Sequence, residues 1–252
     1  MRKLSILNYK GGTGKTSTVV NLAYALALRG KKVLIIDTDP QGSAGYHLGI
    51  QKPVKSLYDL LVNGAPVTEC IIRARQNLDI LCGNERIFPA ELHMSKLPHR
   101  EFYLSKRLEN LEGYDYVLLD CAPSMSLMNQ NCLLYSQEIL VPVSMEYLSL
   151  VGVKQLLKNI KLLNKLFTRT ITVSKVIPTF FDIRNKKSRD IVDSLKRVFP
   201  GLLSSPIRSS VALSEAPGVR KTIFEYAPQS KGAEDYLRLA DEVLGHGQKT
   251  IR

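Results

Sequence analysis

Residues 10–16, with the sequence KGGTGKT, have residue types and a spacing that suit the binding of a nucleoside triphosphate. Glycines let the backbone bend so that successive N–H groups point at one anion, and the N-terminus of a following helix adds partial positive charge. Lys15 would reach the β- and γ-phosphates, and the Thr16 hydroxyl would bind Mg²⁺. The predicted nucleotide contacts in this loop are Lys10, Gly11, Gly12, Thr13, Gly14, Lys15, Thr16 and Ser17.

The residues on either side of this loop predict the elements that would position it. The apolar run at residues 4–7 indicates a short strand, and apolar residues recur at helical spacing from Val19 to Ala27. A strand, a glycine turn and the start of a helix form the context that a phosphate-binding loop requires. We therefore expect the loop to join a buried strand to the N-terminus of a helix.

Two further apolar runs end in a carboxylate, KVLIID at residues 32–37 and YVLLD at residues 116–120. Unbroken Val, Leu and Ile suit parallel strands that are covered on both faces. Open α/β sheets bind ligands at the carboxyl ends of such strands. Asp120 is predicted to bind Mg²⁺ through water. Of Asp37 and Asp39, one would hold a metal-bound water and the other would orient the attacking water, which predicts slow hydrolysis.

The chain resembles the ParA/MinD family of P-loop ATPases. Lys10 stands at the head of KGGTGKT and Tyr9 replaces the usual glycine, as in the deviant Walker A motif of that family. DTDPQG at residues 37–42, DCAPS at residues 120–124 and the run 213–233 also resemble family motifs. The resemblance implies that Lys10 crosses a dimer interface to the partner's ATP, that Asp37 lies near the Mg²⁺, and that Asp39 positions the hydrolytic water.

The same resemblance extends to the late part of the chain. In the family, loops after two late strands hold the nucleotide base, and these loops correspond here to Pro178 with Thr179 and to Pro206 with Ile207. Soj-like members bind DNA non-specifically through basic residues in this region, although one expected arginine is Ala212 here. The predicted DNA contacts are Arg184, Lys186, Lys187, Arg189, Arg208, Arg220 and Lys221.

Charge and composition agree with a polyanionic partner. The formal net charge is +12 and the sequence pI is about 9.5, an excess that the two lysines of an ATP pocket do not explain. Nucleic acid is the first candidate for such a partner and an anionic membrane the second. Contacts to DNA would be with phosphates, independent of base sequence and sensitive to salt.

Size and patterning predict one α/β domain over residues 1–252, with a twisted, mostly parallel sheet flanked by helices on both faces. Further strands are expected at residues 78–82, 138–143 and 170–178, and helices at residues 57–62, 86–111, 147–167, from the 184–189 cluster to about residue 198, and 233–244. Apolar runs are far shorter than the roughly 20 residues of a membrane span. The four cysteines show no zinc or C-x-x-C spacing, which predicts free buried thiols in a reducing cytoplasm.

The sequence leaves two interpretations open for the helix at residues 147–167, in which a lysine stripe is formed by Lys154, Lys158, Lys161 and Lys165. It is either a packed helix with a solvated face or a surface that faces DNA or a partner. The tail after residue 244 contains one large apolar residue, Ile251, which argues against a MinD-like membrane-binding helix.

The resemblance implies an ATPase that forms a homodimer with ATP, binds DNA non-specifically in that state, and segregates or positions a cargo on the nucleoid. A ParB-like partner would stimulate its slow hydrolysis, and no membrane partner is expected. The alternatives are a MinD-like membrane-associated positioning ATPase and a metabolic P-loop enzyme. The nature of the cargo is not predicted.

Overall fold

The computed structural model describes residues 1–249, with side chains to residue 245. Within this range the strands are β1 (Arg2–Ile6), β2 (Val33–Asp37), β3 (Ile71–Arg75), β4 (Leu78–Leu81), β5 (Tyr116–Asp120), β6 (Glu138–Ser144) and β7 (Thr172–Thr179). The α-helices are α1 (Lys15–Leu28), α2 (Ser43–His47), α3 (Leu57–Leu61), α4 (Val67–Cys70), α5 (Ile87–Ser95), α6 (Tyr103–Arg107), α7 (Leu127–Ser136), α8 (Tyr147–Phe167), α9 (Lys186–Val198), α10 (Val211–Glu215), α11 (Ile223–Tyr226) and α12 (Lys231–Lys249). Two 3₁₀ helices span Arg100–Phe102 and Ala216–Val219.

All seven strands of the described chain join one sheet in the order β3-β4-β2-β5-β1-β6-β7. Every pairing is parallel except that of β3 with β4 at the edge. The predicted α/β class with a mostly parallel sheet is therefore confirmed. The strand at residues 71–75 was not predicted, because its sequence IIRAR alternates too briefly to stand out.

The two faces of the sheet are both covered, because successive side chains of a strand point to opposite sides. Leu34 and Ile36 of β2 pack into one apolar cluster with residues of α7 and α8. Val33 and Ile35 pack into the other cluster with residues of α1 and α12. The unbroken apolar strands thus reflect a sheet buried between two helical layers, as predicted.

The prediction of one helix over residues 86–111 is wrong. The structure has α5, a 3₁₀ turn and α6 in this segment, and His99 lies in the left-handed region with φ of 52°. Pro98 explains the break, since proline disfavours helical geometry in the residue before it and cannot donate a backbone hydrogen bond.

Helix α8 packs as the sequence predicts. Val153, Leu156, Ile160 and Leu163 are buried, and the four lysines of the stripe are exposed. Leu148, Val151, Leu162 and Leu166 are also exposed, so the outer face is apolar as well as basic. A partner-facing role for this surface stays a prediction.

Two smaller predictions also meet the structure. All four cysteines are free and buried. No helix in residues 1–249 combines the length and the apolar character needed to cross a bilayer. Ile251, on which the tail argument depends, lies outside the described residues.

Candidate functional site

The phosphate-binding loop lies where predicted, between the end of β1 and the start of α1. Gly12 and Gly14 have φ of +70° and +81°, values that side chains rarely adopt, and Gly14 caps α1. Lys15 is buried, and its Nζ donates a hydrogen bond to the carbonyl oxygen of Lys10 at 3.3 Å. Burial lowers the pKa of Lys15, and Asp120 and Asp39 partly offset this effect. The loop therefore encloses the ammonium group of Lys15.

The sheet brings two predicted acids together. Strands β2 and β5 are neighbours, and Asp37 pairs in register with Asp120 at their carboxyl ends. Asp37 accepts hydrogen bonds from the backbone N–H groups of Asp39 at 3.2 Å and Ala44 at 3.0 Å. Both carboxyl oxygens of Asp120 are buried without a hydrogen-bond partner. Two adjacent buried carboxyl groups, one of them unpartnered, are a site for a cation.

Burial raises the pKa of Asp37 to about 7. Burial also raises the pKa of Asp120 well above its ordinary value, and the neighbouring Asp37 charge adds to the shift. Without a cation the pair therefore holds protons near neutral pH. A divalent cation would displace those protons, since metal ligands must be deprotonated.

The donor set fits Mg²⁺ bound together with a nucleotide. Carboxylates and hydroxyls are the hard oxygen ligands that Mg²⁺ prefers, and it binds through few protein groups plus phosphates and waters. Asp37, Asp120 and Thr16 supply such oxygens. No cluster of three or more His, Cys, Asp or Glu residues able to hold a metal occurs in the described chain. Phosphate oxygens and waters would complete such a site.

Cation binding is expected to strengthen as pH rises. From about pH 6 to pH 8 the affinity for Mg²⁺ in the presence of ADP should increase, because deprotonating Asp37 and Asp120 costs less free energy at higher pH. Isothermal titration calorimetry in two buffers of different ionisation enthalpy should show proton release on binding. An affinity independent of pH, with no proton release, would contradict this assignment.

The loop that follows Asp37 is positioned by two close contacts between backbone segments. A Cβ on Gly83 would lie 2.4 Å from the carbonyl oxygen of Asp37, and a Cβ on Gly42 would lie 2.8 Å from that of Gly83. Within the loop, Asp39 is half-buried and its Oδ1 accepts the Gln41 N–H at 2.9 Å. The remaining oxygen of Asp39 can face a substrate. Sequence analysis missed Gly83, which no local motif marks.

The turn after Asp120 is held by a residue that the sequence did not single out. Asn129 of α7 donates from Nδ2 to the carbonyl oxygens of Ala122 at 2.7 Å and Ser124 at 2.6 Å. Its N–H is bonded by the Ser126 side chain, which caps α7. Asn129 therefore fixes the geometry of the segment that leads away from Asp120.

The Lys10 side chain contacts the start of α8. Its Nζ forms an ion pair with Glu146 and lies 3.4 Å from the Ser149 hydroxyl. Its backbone N–H donates to Asn8 Oδ1 at 3.1 Å, and a Cβ on Gly152 would lie 2.9 Å from that oxygen. Sequence analysis missed all four of these neighbours, since three of them follow Lys10 by more than 130 residues.

The two segments predicted to hold the nucleotide base lie side by side. The N–H of Ile207 donates to the carbonyl oxygen of Pro178 at 2.8 Å, and the Thr179 hydroxyl donates to the carbonyl oxygen of Thr13 at 2.9 Å. The Pro178–Thr179 segment is thus attached to the phosphate-binding loop, and the Ile207 segment is attached to Pro178. Pro178, Thr179 and Ile207 are buried, so contacts from these three would come mainly from the backbone.

The predicted DNA-binding residues differ in whether nearby carboxylates neutralise their charges. Arg184 is exposed and forms a two-point ion pair with Asp182, at 3.0 and 2.8 Å. Lys186 and Lys187 occupy the first turn of α9, where positive charge opposes the helix dipole. Arg189 is exposed and donates to the carbonyl oxygen of Ile183 at 2.6 Å. Lys186 and Lys187 therefore carry charge at the unfavourable end of the helix, which favours a functional reason for their presence.

Arg208 is the exception among the predicted residues. It pairs with the buried carboxylate of Asp235 at 2.6 Å and with Glu234 at 2.7 Å. Asp235 is 1% exposed, so its charge requires this arginine. Two carboxylates thus neutralise Arg208, which supports a structural role, and its contact with DNA stays a prediction.

Arg220 and Lys221 are exposed on a segment that the core holds in place. The carbonyl oxygen of Lys221 lies 3.1 Å from His47 Nε2, and that of Arg220 accepts from Arg75 at 3.4 Å. Burial lowers the pKa of His47 to about 4, so the ring is neutral at pH 7. Lys231 and Arg238, which the sequence did not single out, line a cavity of about 670 Å³ with Arg184.

Comparison with known proteins places these features in a family. A family model described as an AAA domain matches residues 1–173. The chain is 39% identical to the sporulation initiation inhibitor protein Soj of Bacillus subtilis, over 97% of the chain and 98% of that protein. It is 32% identical to the chromosome partitioning protein ParA of Caulobacter vibrioides, over 97% and 94%.

Two solved structures share the fold over almost the whole chain. The first is cobyrinic acid a,c-diamide synthase from Mycobacterium smegmatis with bound ADP and magnesium, with a TM-score of 0.86, 29% identity and coverage of 99% and 96%. The second is the septum site-determining protein MinD from Pyrococcus horikoshii complexed with Mg-ADP, with a TM-score of 0.80, 26% identity and coverage of 96% and 95%.

Proposed function

The chain belongs to the P-loop ATPase family that includes Soj and ParA, and we propose that it is an ATP-dependent dimerising partition ATPase with a nucleotide-switched affinity for DNA. The observation that carries this proposal is the separation of its two loop lysines. Lys15 is enclosed in the loop, whereas Lys10 lies at the rim on Glu146 and Ser149. This separation supports a role for Lys15 on the nucleotide of its own subunit and a role for Lys10 on that of a partner.

ATP and Mg²⁺ are the cofactors of this site. Lys15 and the loop N–H groups bind the β- and γ-phosphates, while Thr16, Asp37 and Asp120 hold the Mg²⁺, which neutralises phosphate charge when bound. Asp39 orients the attacking water through its free carboxylate oxygen. A carboxylate that orients water without a stronger base gives slow turnover, which suits a timed switch.

Dimerisation would couple ATP to DNA binding. Lys10 of each subunit would leave Glu146 and contact the partner's ATP, whose added charge favours the exchange. Two basic surfaces on one particle then bind DNA more tightly than one, because the second contact becomes intramolecular. A ParB-like partner would stimulate hydrolysis and so return the protein to monomers.

Glu146→Gln is expected to raise the fraction of dimer at a given ATP concentration several-fold. The substitution removes the ion pair that keeps Lys10 in its own subunit, and so lowers the free energy needed to release it. Sedimentation velocity across an ATP series would measure the effect. Glu112→Gln, at an exposed position, is the matched control. An unchanged or reduced dimer fraction would show that Glu146 does not restrain Lys10.

The DNA contact is expected to depend on the first turn of α9. Replacing Lys186 and Lys187 together by glutamine should reduce the slope of log affinity against log salt by about two, since each phosphate contact contributes about one. Fluorescence anisotropy with a duplex of arbitrary sequence measures this. The double change of Lys161 and Lys165 on α8 removes equal charge elsewhere. An equal loss in both variants would contradict a contact specific to α9, and would indicate either diffuse electrostatics or DNA contact by α8 as well.

The experiment that tests the function as a whole is binding to non-specific duplex DNA without nucleotide, with ADP and with ATP, over a salt series. Binding mainly with ATP, lost as salt rises, supports the proposal. Equal binding in all three states would contradict the switch. No binding would favour the MinD-like or metabolic alternatives, and sedimentation with anionic vesicles would then separate those two.

The sequence identities support the partition function over these alternatives. The sporulation initiation inhibitor protein Soj is 39% identical and the chromosome partitioning protein ParA is 32% identical, whereas the structures of the diamide synthase and MinD are 29% and 26% identical. We further propose that residues 1–252 form one domain and that the protein works in the cytoplasm on the nucleoid.

A further inference from the structure

Phe180, the residue that follows β7, combines an unfavourable backbone with an exposed ring. Its φ is +55°, in the left-handed region that bulky side chains avoid. Its relative exposure is 51%, so burial of the ring does not fully offset the cost of the backbone conformation. A strained backbone that presents an apolar ring to solvent is a pattern associated with ligand contacts.

Hydrogen bonds on both sides of Phe180 impose this conformation. The preceding Thr179 hydroxyl is bonded to Thr13 in the phosphate-binding loop at 2.9 Å. The following Phe181 donates to Ile207 at 3.1 Å and accepts from Ser209 at 3.0 Å, which ties it to the other segment expected to hold the base. The backbone is therefore fixed between the phosphate site and the proposed base site.

The ring of Phe180 lies against the start of α1. Its Cε2 and Cζ atoms are 3.7 Å from the position that a Cβ of Gly14 would occupy. One edge of the ring thus covers the glycine that caps the helix, while about half of the residue stays open to solvent beside the loop. An aromatic side chain has a π-face on which a nucleobase can stack.

We propose that Phe180 is a specificity-determining residue that stacks on the purine of the bound nucleotide. The affinity of the loop for phosphates does not depend on the base. Stacking on Phe180 would add a contribution to affinity that does. This inference rests on the proposed function, because it requires ATP in the loop. The competing explanation is that the ring merely shields Gly14, in which case every ligand of the loop would feel its loss equally.

The test compares ligands with and without a base. Dissociation constants of ATP and of inorganic tripolyphosphate, each with Mg²⁺, are measured by calorimetry for the wild type, Phe180→Ala and Phe180→Trp. Phe180→Ala should weaken ATP binding by about fivefold to a hundredfold, the usual range for stacking on one base. Tripolyphosphate should bind within about twofold of wild type, and Phe180→Trp should keep ATP affinity. Phe88→Ala, at another exposed phenylalanine of 64% exposure, is the control.

A second variant separates ligand contact from folding. Phe180→Gly should melt at a higher temperature than Phe180→Ala in the nucleotide-free protein, because both lack the ring and glycine adopts positive φ freely. Both variants should weaken ATP binding equally, so the loss of affinity would follow the loss of the ring and not the change in stability.

Two results would overturn the inference: equal weakening of ATP and tripolyphosphate, or unchanged ATP affinity in Phe180→Ala. Wild-type protein that binds no ATP would instead overturn the proposed function, which is a different result.

Discussion

Lys10→Gln should bind ATP as a monomer and fail to form the ATP-dependent dimer. The loop N–H groups, Lys15 and Thr16 are untouched, so each subunit keeps its own phosphate contacts. The variant loses a cation that would meet the partner's phosphates in a water-excluded interface. Truncating one member of such a charge pair costs about 2–5 kcal/mol, which corresponds to at least about a thirtyfold weaker dimer.

Light scattering coupled to size exclusion, with ATP and with ADP, would measure this loss. ATP affinity measured on the same sample shows whether the site itself is intact. Lys158→Gln removes one exposed lysine from α8 and serves as the control for net charge. Stable ATP-dependent dimers of Lys10→Gln would refute the proposed exchange of Lys10 between subunits.

Asp39→Ala should bind ATP and Mg²⁺ and hydrolyse ATP about 10²-fold more slowly, the low end of the range for general-base catalysis, because Asp39 orients the water without being a strong base. The cation site keeps Asp37 and Asp120, so nucleotide affinity should change little. Because the ATP state would persist, dimers and their binding to DNA should last longer than in the wild type. Phosphate release under multiple turnover measures the rate.

Asp39→Asn distinguishes chemistry from loop structure. Its amide oxygen can still accept the Gln41 N–H that Asp39 accepts at 2.9 Å, so the loop keeps its turn without a carboxylate. Equal inactivation of both variants supports a role in orienting water. Normal turnover by Asp39→Asn would assign Asp39 to loop structure alone.

The basic residues show how packing changes an interpretation that rests on charge. By sequence, Arg184 and Arg208 are equivalent members of a basic region. In the structure Arg184 is exposed beside Asp182, whereas Arg208 neutralises the buried Asp235 and also pairs with Glu234. Removing Arg208 would leave a buried charge unpaired, so its loss would report on stability more than on DNA.

Features that depend on neighbouring residues could be predicted from the sequence. The loop at residues 10–16, the apolar strands that end in Asp37 and Asp120, and helix α8 follow from glycine geometry, apolar runs and helical periodicity. Each of these signals lies within one element, where chain connectivity alone brings the residues together.

Only the tertiary structure decided which residues meet from distant elements. The register of β2 with β5 sets Asp37 beside Asp120, and α8 brings Glu146 and Ser149 to Lys10. The strain at Phe180 likewise arises from bonds to two separate segments. Such contacts depend on how elements pack, and packing complementarity leaves no periodic or local trace in the sequence. The chemistry of the site is thus encoded locally, but its geometry is set by the fold.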